Sequence, residues 1–142
     1  MEPERTFADT NLFLRYLTND VPEQADAFEK ILHRAKRGEI LLVTNSMVIA
    51  EIVWTLESYY RLPPSAVQDN VLAILNTPGL EVAASDRVLQ ATLWHVEKSV
   101  DFIDAYNAAW MAEDSIKTVI TFDQKHFKRF EGIRVEIPGI TA

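Results

Sequence analysis

Of the 21 acidic residues in this chain, most belong to ordinary solvated surface. The informative ones stand where a charge is costly or where several charges would meet. Asp9 follows Phe7 and Ala8 at the end of a short strand; aspartate is also a preferred helix N-cap, so a cap for the helix carrying Leu12 is the alternative. Glu51 lies inside Met47-Val48-Ile49-Ala50-Glu51-Ile52-Val53-Trp54. A carboxylate buried there without a partner is strongly disfavoured, so these neighbours point to a paired or metal-linked group, with the exposed stripe of the same helix as the alternative. Asp101 and Asp104 are three apart and share one side of a helix. Asp101 suits the N-cap, and Asp104 the third helical position of a capping-box-like pair. Asp104 also opens the small-residue stretch Ala105, Ala108 and Ala109, which lets a helix approach a sheet closely. Asp123 follows Thr121 and Phe122 just past an apolar run, where a turn aspartate is the alternative.

Carboxylates gathered within a few ångströms cannot all stay ionised unless a cation neutralises them, and hard oxygen ligands select Mg²⁺ or Mn²⁺. Such an ion suits phosphoryl chemistry: it polarises a phosphate, activates a water and stabilises the leaving oxygen. The rest of the composition narrows the field. With no cysteine there is no disulfide framework, thiolate zinc site, iron–sulfur cluster or cysteine nucleophile. A net charge of −7 makes the chain repel polyanions as a whole, so nucleic acid requires a local basic patch or a bridging cation. No apolar run approaches the length of a membrane span, and Glu2, Glu4 and Arg5 interrupt the place where a signal peptide needs its apolar core. The expectation is a soluble, unprocessed, cytoplasmic protein. A length of 142 residues, 48% hydrophobic, fits a single domain over 1–142.

Short apolar strands separated by longer helical segments predict an α/β fold. Strands are expected at Arg5–Asp9, Ile40–Val43, Leu80–Ala83, Thr118–Thr121 and Arg134–Ile137. Between them the spacing predicts helices from Leu12, with Thr10 and Asn11 as caps, and from Pro22 to near Gly38. Further helices are expected from Asn45 or Ser46 to near Arg61, from Ser65 to the Pro78-Gly79 turn, from Ser85 or Asp86 to about Lys98, and from Asp101. A small helical piece is expected around Phe127 to Phe130. Parallel strands with right-handed crossovers would bring Asp9, the helix start at Asn45, and Thr121-Phe122-Asp123 to the carboxyl ends of the strands, the edge where open α/β sheets form their sites.

Four segments, Phe7-Ala8-Asp9-Thr10-Asn11-Leu12-Phe13-Leu14-Arg15, Asn45-Ser46-Met47-Val48-Ile49-Ala50-Glu51, Asp101-Phe102-Ile103-Asp104-Ala105 and Val119-Ile120-Thr121-Phe122-Asp123, together resemble the PIN domain, in particular the VapC-type toxins of prokaryotic toxin–antitoxin pairs. Each motif alone is unspecific; their order and spacing across nearly the whole chain are fairly specific. The resemblance implies a three-layer α/β/α sandwich with a central, mostly parallel sheet of about five strands. It also implies a Mg²⁺- or Mn²⁺-dependent endoribonuclease, a cognate VapB-like antitoxin and a homodimer, with no membrane partner. Carried over by position, Asp9, Glu51, Asp104 and Asp123 match the family's acidic quartet, with Asp9 and Asp104 as direct metal ligands. Glu51 and Asp123 would complete the cage, hold metal-bound waters or orient the attacking water. Asn11 and Thr121 match flanking polar positions that would fix carboxylate orientation, and Asp101 is an extra acid beside the motif.

The chemistry expected is in-line attack on an RNA phosphodiester by a metal-bound water, without a covalent intermediate. His33, His95 and His126 read as surface or packing residues, with His126 the most suspect of the three because Lys125, Lys128 and Arg129 surround it just after Asp123. Lys125, Lys128 and Arg129, with Arg15 one helix away from Asp9, are the candidate substrate-guiding bases, while His33, Arg34, Lys36 and Arg37 read as a solvated face. Phe13, Tyr16, Leu17, Phe28, Trp54, Tyr59, Tyr60 and Trp94 supply a core and, for some of them, an antitoxin or dimer surface. A haloacid-dehalogenase-type phosphatase needs a second aspartate where this chain has Asn11, and a receiver-like domain needs an acidic pair that is absent before the first helix. The remaining alternative is a catalytically silent PIN-fold module that binds RNA or protein.

Overall fold

All five short apolar runs form strands, and between them the amphipathic segments coil into six helices, in a computed structural model that describes residues 2–139. Met1 and 140–142, the outermost ends of the expected single domain, lie outside the described residues. The described residues fall into two compact units, the first ending at Asp86 and the second beginning at Arg87.

The first unit contains β1 (Arg5–Phe7), α1 (Thr10–Thr18), α2 (Pro22–Lys36), β2 (Leu41–Thr44), α3 (Ser46–Ser58), α4 (Pro64–Leu75) and β3 (Leu80–Val82). Its strands pair in the order β1-β2-β3, all parallel, with Arg5 opposite Leu41 and Leu42 opposite Leu80. The central strand β2 buries Leu42 and Thr44, and the Thr44 hydroxyl donates to the Ala8 carbonyl at 2.9 Å, fixing the chain just before Asp9. Helix α1 packs against α2 and α3, α3 against α4, and α4 against β3. Phe13 and Phe28 meet edge to face at 5.4 Å, with Tyr16 on the other side of Phe28 at 6.2 Å, an arrangement favoured by ring quadrupoles.

Helix ends follow local chemistry. The N-cap of α1 is Asp9, the alternative given for it above, and not Thr10 or Asn11: Asp9 is extended and its Oδ1 accepts from the Thr10 N–H at 2.8 Å, while Thr10 is buried. Asn45 caps α3 through its Oδ1, which accepts from the Val48 N–H. Helix α4 opens at Pro64 with Pro63 as cap, one residue before the expected Ser65, because the N–H that proline lacks would be unpaired at the first helical position anyway. Past the end of α2, Gly38 takes φ +80°, so that its N–H reaches the Ala35 carbonyl while the Glu39 N–H reaches that of Arg34. This is a Schellman termination.

The second unit holds α5 (Ser85–Glu97), which begins at the division, then α6 (Phe102–Glu113), β4 (Thr118–Ile120), a 3-10 turn (Phe127–Arg129) and β5 (Arg134–Glu136). β4 and β5 pair in parallel, Val119 opposite Val135, so the five strands carry ladders of three and of two instead of one continuous ladder. Most of them are only three residues long, and each offers few backbone groups for a further partner. Val88, Ala91, Phe102, Ala105, Ala108, Met111, Phe127 and Phe130 are buried here, Trp94 meets Phe130 edge to face, and Arg87 ties α5 to α6 by donating to Glu113 and to the Tyr106 hydroxyl.

Candidate metal centre

Asp104 sits in the first turn of α6. In the expected capping pair the Asp101 carboxylate would accept from a first-turn N–H, but Asp101 occupies the N-cap position without a side-chain capping bond, and Asp104 turns to a residue 22 positions away. Its Oδ2 lies 2.8 Å from Nδ1 of His126, with both side chains about three-quarters covered. This corrects the reading of His126 as a surface or packing residue: the imidazole is an integral neighbour of the acid. The spacing Asp123-Gln124-Lys125-His126 was the available signal, since one tight turn after a strand brings positions i and i+3 together.

That turn is built locally. The Thr121 hydroxyl accepts from the Asp123 N–H at 3.0 Å, and Oδ1 of Asp123 accepts from the Lys125 N–H at 3.3 Å. Thr121 thus holds the Asp123 backbone and does not touch its carboxylate. Asp104, Asp123 and His126 each present a ligand atom within 4.8 Å of the others. Two carboxylate oxygens and an imidazole nitrogen at that separation form a donor set that fits a divalent cation.

The remaining acids behave differently. Asp9, exposed at the start of α1, spends one oxygen on the helix cap. Glu51 is exposed, which corrects the expectation of a buried carboxylate. Helix α3 buries Val48, Ile49, Ile52, Val53 and Leu56, and its opposite face carries Glu51 between Met47 (78% exposed) and Trp54 (68% exposed). Flanking apolar residues thus do not enclose Glu51, because two of the largest point to water with it. Asn11 is exposed on the first turn of α1 and lines a groove of about 630 Å³ with Phe7, Leu12 and Arg15.

The basic residues divide. Lys125 and Lys128 are exposed beside Asp123 and His126. Arg129 instead donates to the Lys98 and Ser99 carbonyls at the end of α5, and Arg15 is held by Asp20 and Gln24, so both have structural duties that sequence spacing did not reveal. Asp20, gathering the Tyr60 hydroxyl at 2.6 Å, Thr18 and Arg15, is held below the usual carboxylate range chiefly by the Tyr60 bond. His95 is buried with Nδ1 against the Val100 carbonyl, in keeping with a packing role.

The sequence of residues 6–133 matches the family model described as PIN domain, a span that covers nearly the whole chain. The chain belongs to the PIN domain family. Members of this family are generally nucleases. Asp104 and Asp123 are thus two acids of a PIN domain that meet across the α6 start and the turn after β4, joined by an imidazole. Among solved structures, this PIN domain is similar to the crystal structure of VapBC2 from Rickettsia felis bound to a DNA fragment from their promoter, at 15% identity and a TM-score of 0.37, covering 96% of this chain and 99% of that one. No curated protein sequence matches it. Among the described residues no helix is long and apolar enough to cross a membrane.

Proposed function

We propose that this PIN domain is a single-domain, Mg²⁺- or Mn²⁺-dependent endoribonuclease, the toxin of a type II (VapBC-type) pair, cytoplasmic and homodimeric, and restrained by a cognate VapB-like antitoxin. The observation that carries the nuclease reading is the meeting of Asp104, Asp123 and His126 in a chain of a family that generally cuts nucleic acid. RNA as substrate and an antitoxin as partner are supported by the order and spacing of the four VapC-like segments. Asp9 and Glu51 are assigned to the same chemistry by their match to those segments, with Asn11 and Thr121 as orienting groups and Asp101 as an accessory acid.

A divalent ion bound by these acids supplies the polarisation of the phosphate and a water of lowered pKa. The chain's own contribution is to hold the donors before the ion arrives. α6 fixes Asp104, the Thr121 hydroxyl and the Lys125 N–H fix Asp123, and the 3-10 turn fixes His126. Lys125 and Lys128 give the approaching polyanion a local positive rim on a chain that repels it overall.

The test is cleavage of a mixed structured-RNA pool by antitoxin-free protein with Mg²⁺ or Mn²⁺, with EDTA, and with Asp9→Asn and Asp123→Asn purified identically. Cutting that requires metal and is lost in both variants is the expected result. Folded protein that cuts nothing above the variant background under either metal, yet retains RNA or protein binding, would replace the enzyme with a silent PIN-fold module.

A further inference from the structure

His126 is outside the acidic quartet, yet its Nδ1 lies 2.8 Å from Oδ2 of Asp104. Two adjacent ligands of one octahedral ion with bonds of about 2.1 Å stand about 3.0 Å apart. The nitrogen and the oxygen therefore already have the spacing of neighbouring ligands. Asp123 offers the third atom, within 4.8 Å of both. Local bonds hold the ring on a short turn: the Arg129 N–H reaches the His126 carbonyl, and the Lys128 N–H that of Gln124. An ion entering beside Asp104 and Asp123 would take the place of the hydrogen bond that now joins Asp104 to His126, and so would meet the imidazole nitrogen.

That nitrogen matters for which ion is held. Mg²⁺ is hard, keeps its waters and takes oxygen; imidazole suits first-row transition ions, whose affinity for a mixed nitrogen and oxygen site rises from Mn²⁺ through Fe²⁺ to Co²⁺. We propose that His126 ligates the divalent ion directly through Nδ1, so that the site prefers a first-row transition ion to Mg²⁺. The inference rests on the metal reading of Asp104 and Asp123 and adds to it the identity of the ion.

The experiment uses the full chain without RNA, so that the readout is binding and not turnover. Mn²⁺ and Mg²⁺ are titrated by calorimetry, and the Mn²⁺ complex is examined by pulsed EPR for coupling to an imidazole nitrogen, with ¹⁵N-histidine protein to identify the coupled nucleus. The same is done with His126→Asn, whose amide can keep a hydrogen bond to Asp104 but offers no imidazole. The expected result is nitrogen coupling in the unsubstituted chain and its loss in His126→Asn, with the preference for Mn²⁺ over Mg²⁺ falling about tenfold. Saturable Mn²⁺ binding without nitrogen coupling overturns the role of His126 and leaves the carboxylate site standing. No saturable binding of either ion overturns the metal reading itself, and His126 with it. Should His126→Asn fail to fold, His126→Gln takes its place, and persistence of the ¹⁵N-histidine coupling in that variant overturns the assignment.

Discussion

Replacing Gly79 by alanine is expected to destabilise the first unit far more than the same change at Gly38, although both glycines sit at φ +80°. The shared part is conformational: placing an L-residue in the left-handed region costs about 1–2 kcal/mol, partly offset by about 0.4–1 kcal/mol from a stiffer unfolded chain. At Gly38 that is all, since an added Cβ meets nothing within 4 Å. At Gly79 the Cβ would stand 2.4 Å from the Ala35 carbonyl oxygen and 2.5 Å from its carbon, about an ångström inside ordinary contact. Neither can yield cheaply, because that carbonyl already accepts the Gly38 N–H in the Schellman turn. Overpacking of this kind costs about 1–3 kcal/mol, so Gly79→Ala should lose about 2 kcal/mol more than Gly38→Ala. Urea unfolding followed by circular dichroism reads the difference as a separation of midpoints of about 1 M, for an m value near 2 kcal/mol per molar. Equal midpoints for the two variants would refute the argument that the α2 terminus and the turn before β3 are locked together.

At the candidate metal centre, Asp104→Asn should lower the proposed metal-dependent RNA cleavage by at least about 100-fold, with the far-UV spectrum unchanged; near-normal cleavage would remove Asp104 from the chemistry. Tyr60→Phe removes the main cause of Asp20's lowered pKa. A depressed carboxylate stabilises the fold above its unfolded pKa, and that contribution fades as pH falls through the folded value, so the variant should be weaker than the unsubstituted chain at neutral pH and converge with it in acid. Unfolding midpoints measured from pH 7 to pH 3 test this, and a constant gap contradicts it. Arg87→Lys should cost about 1 kcal/mol in the second unit, because the ammonium cannot serve Glu113 and the Tyr106 hydroxyl as the guanidinium fork does, and restoration of stability by lysine alone would show that charge suffices.

The strands were legible because five short runs, each with at least one β-branched residue, are separated by longer helical segments, and the helices because their apolar spacing and caps agree. Pro22, Asn45 and Gly38 each do in the structure what their chemistry dictates. Asp104 and Asp123 were legible as acids placed at element starts and ends. Other features were not. Glu51 misled because hydrophobic neighbours in sequence were taken to be neighbours in space, whereas a helix turns about 100° per residue and carries Met47 and Trp54 outward beside it. The partner of Asp104 is 22 residues away, and the spacing that pairs His126 with Asp123 does not reach back to the start of α6. Arg15 and Arg129 looked free to guide a substrate, but an arginine's hydrogen bonds depend on which carbonyls and carboxylates the tertiary fold leaves open, and here it leaves Asp20 to one and the end of α5 to the other.

Asp9 serves its helix with one oxygen, and an asparagine in its place would serve it equally, since both rank at the top of the N-cap scale. In the genetic code the two differ by a single base. Should Asp9 act in the proposed cleavage, a single point mutation at this position would silence the protein at little cost to its folding.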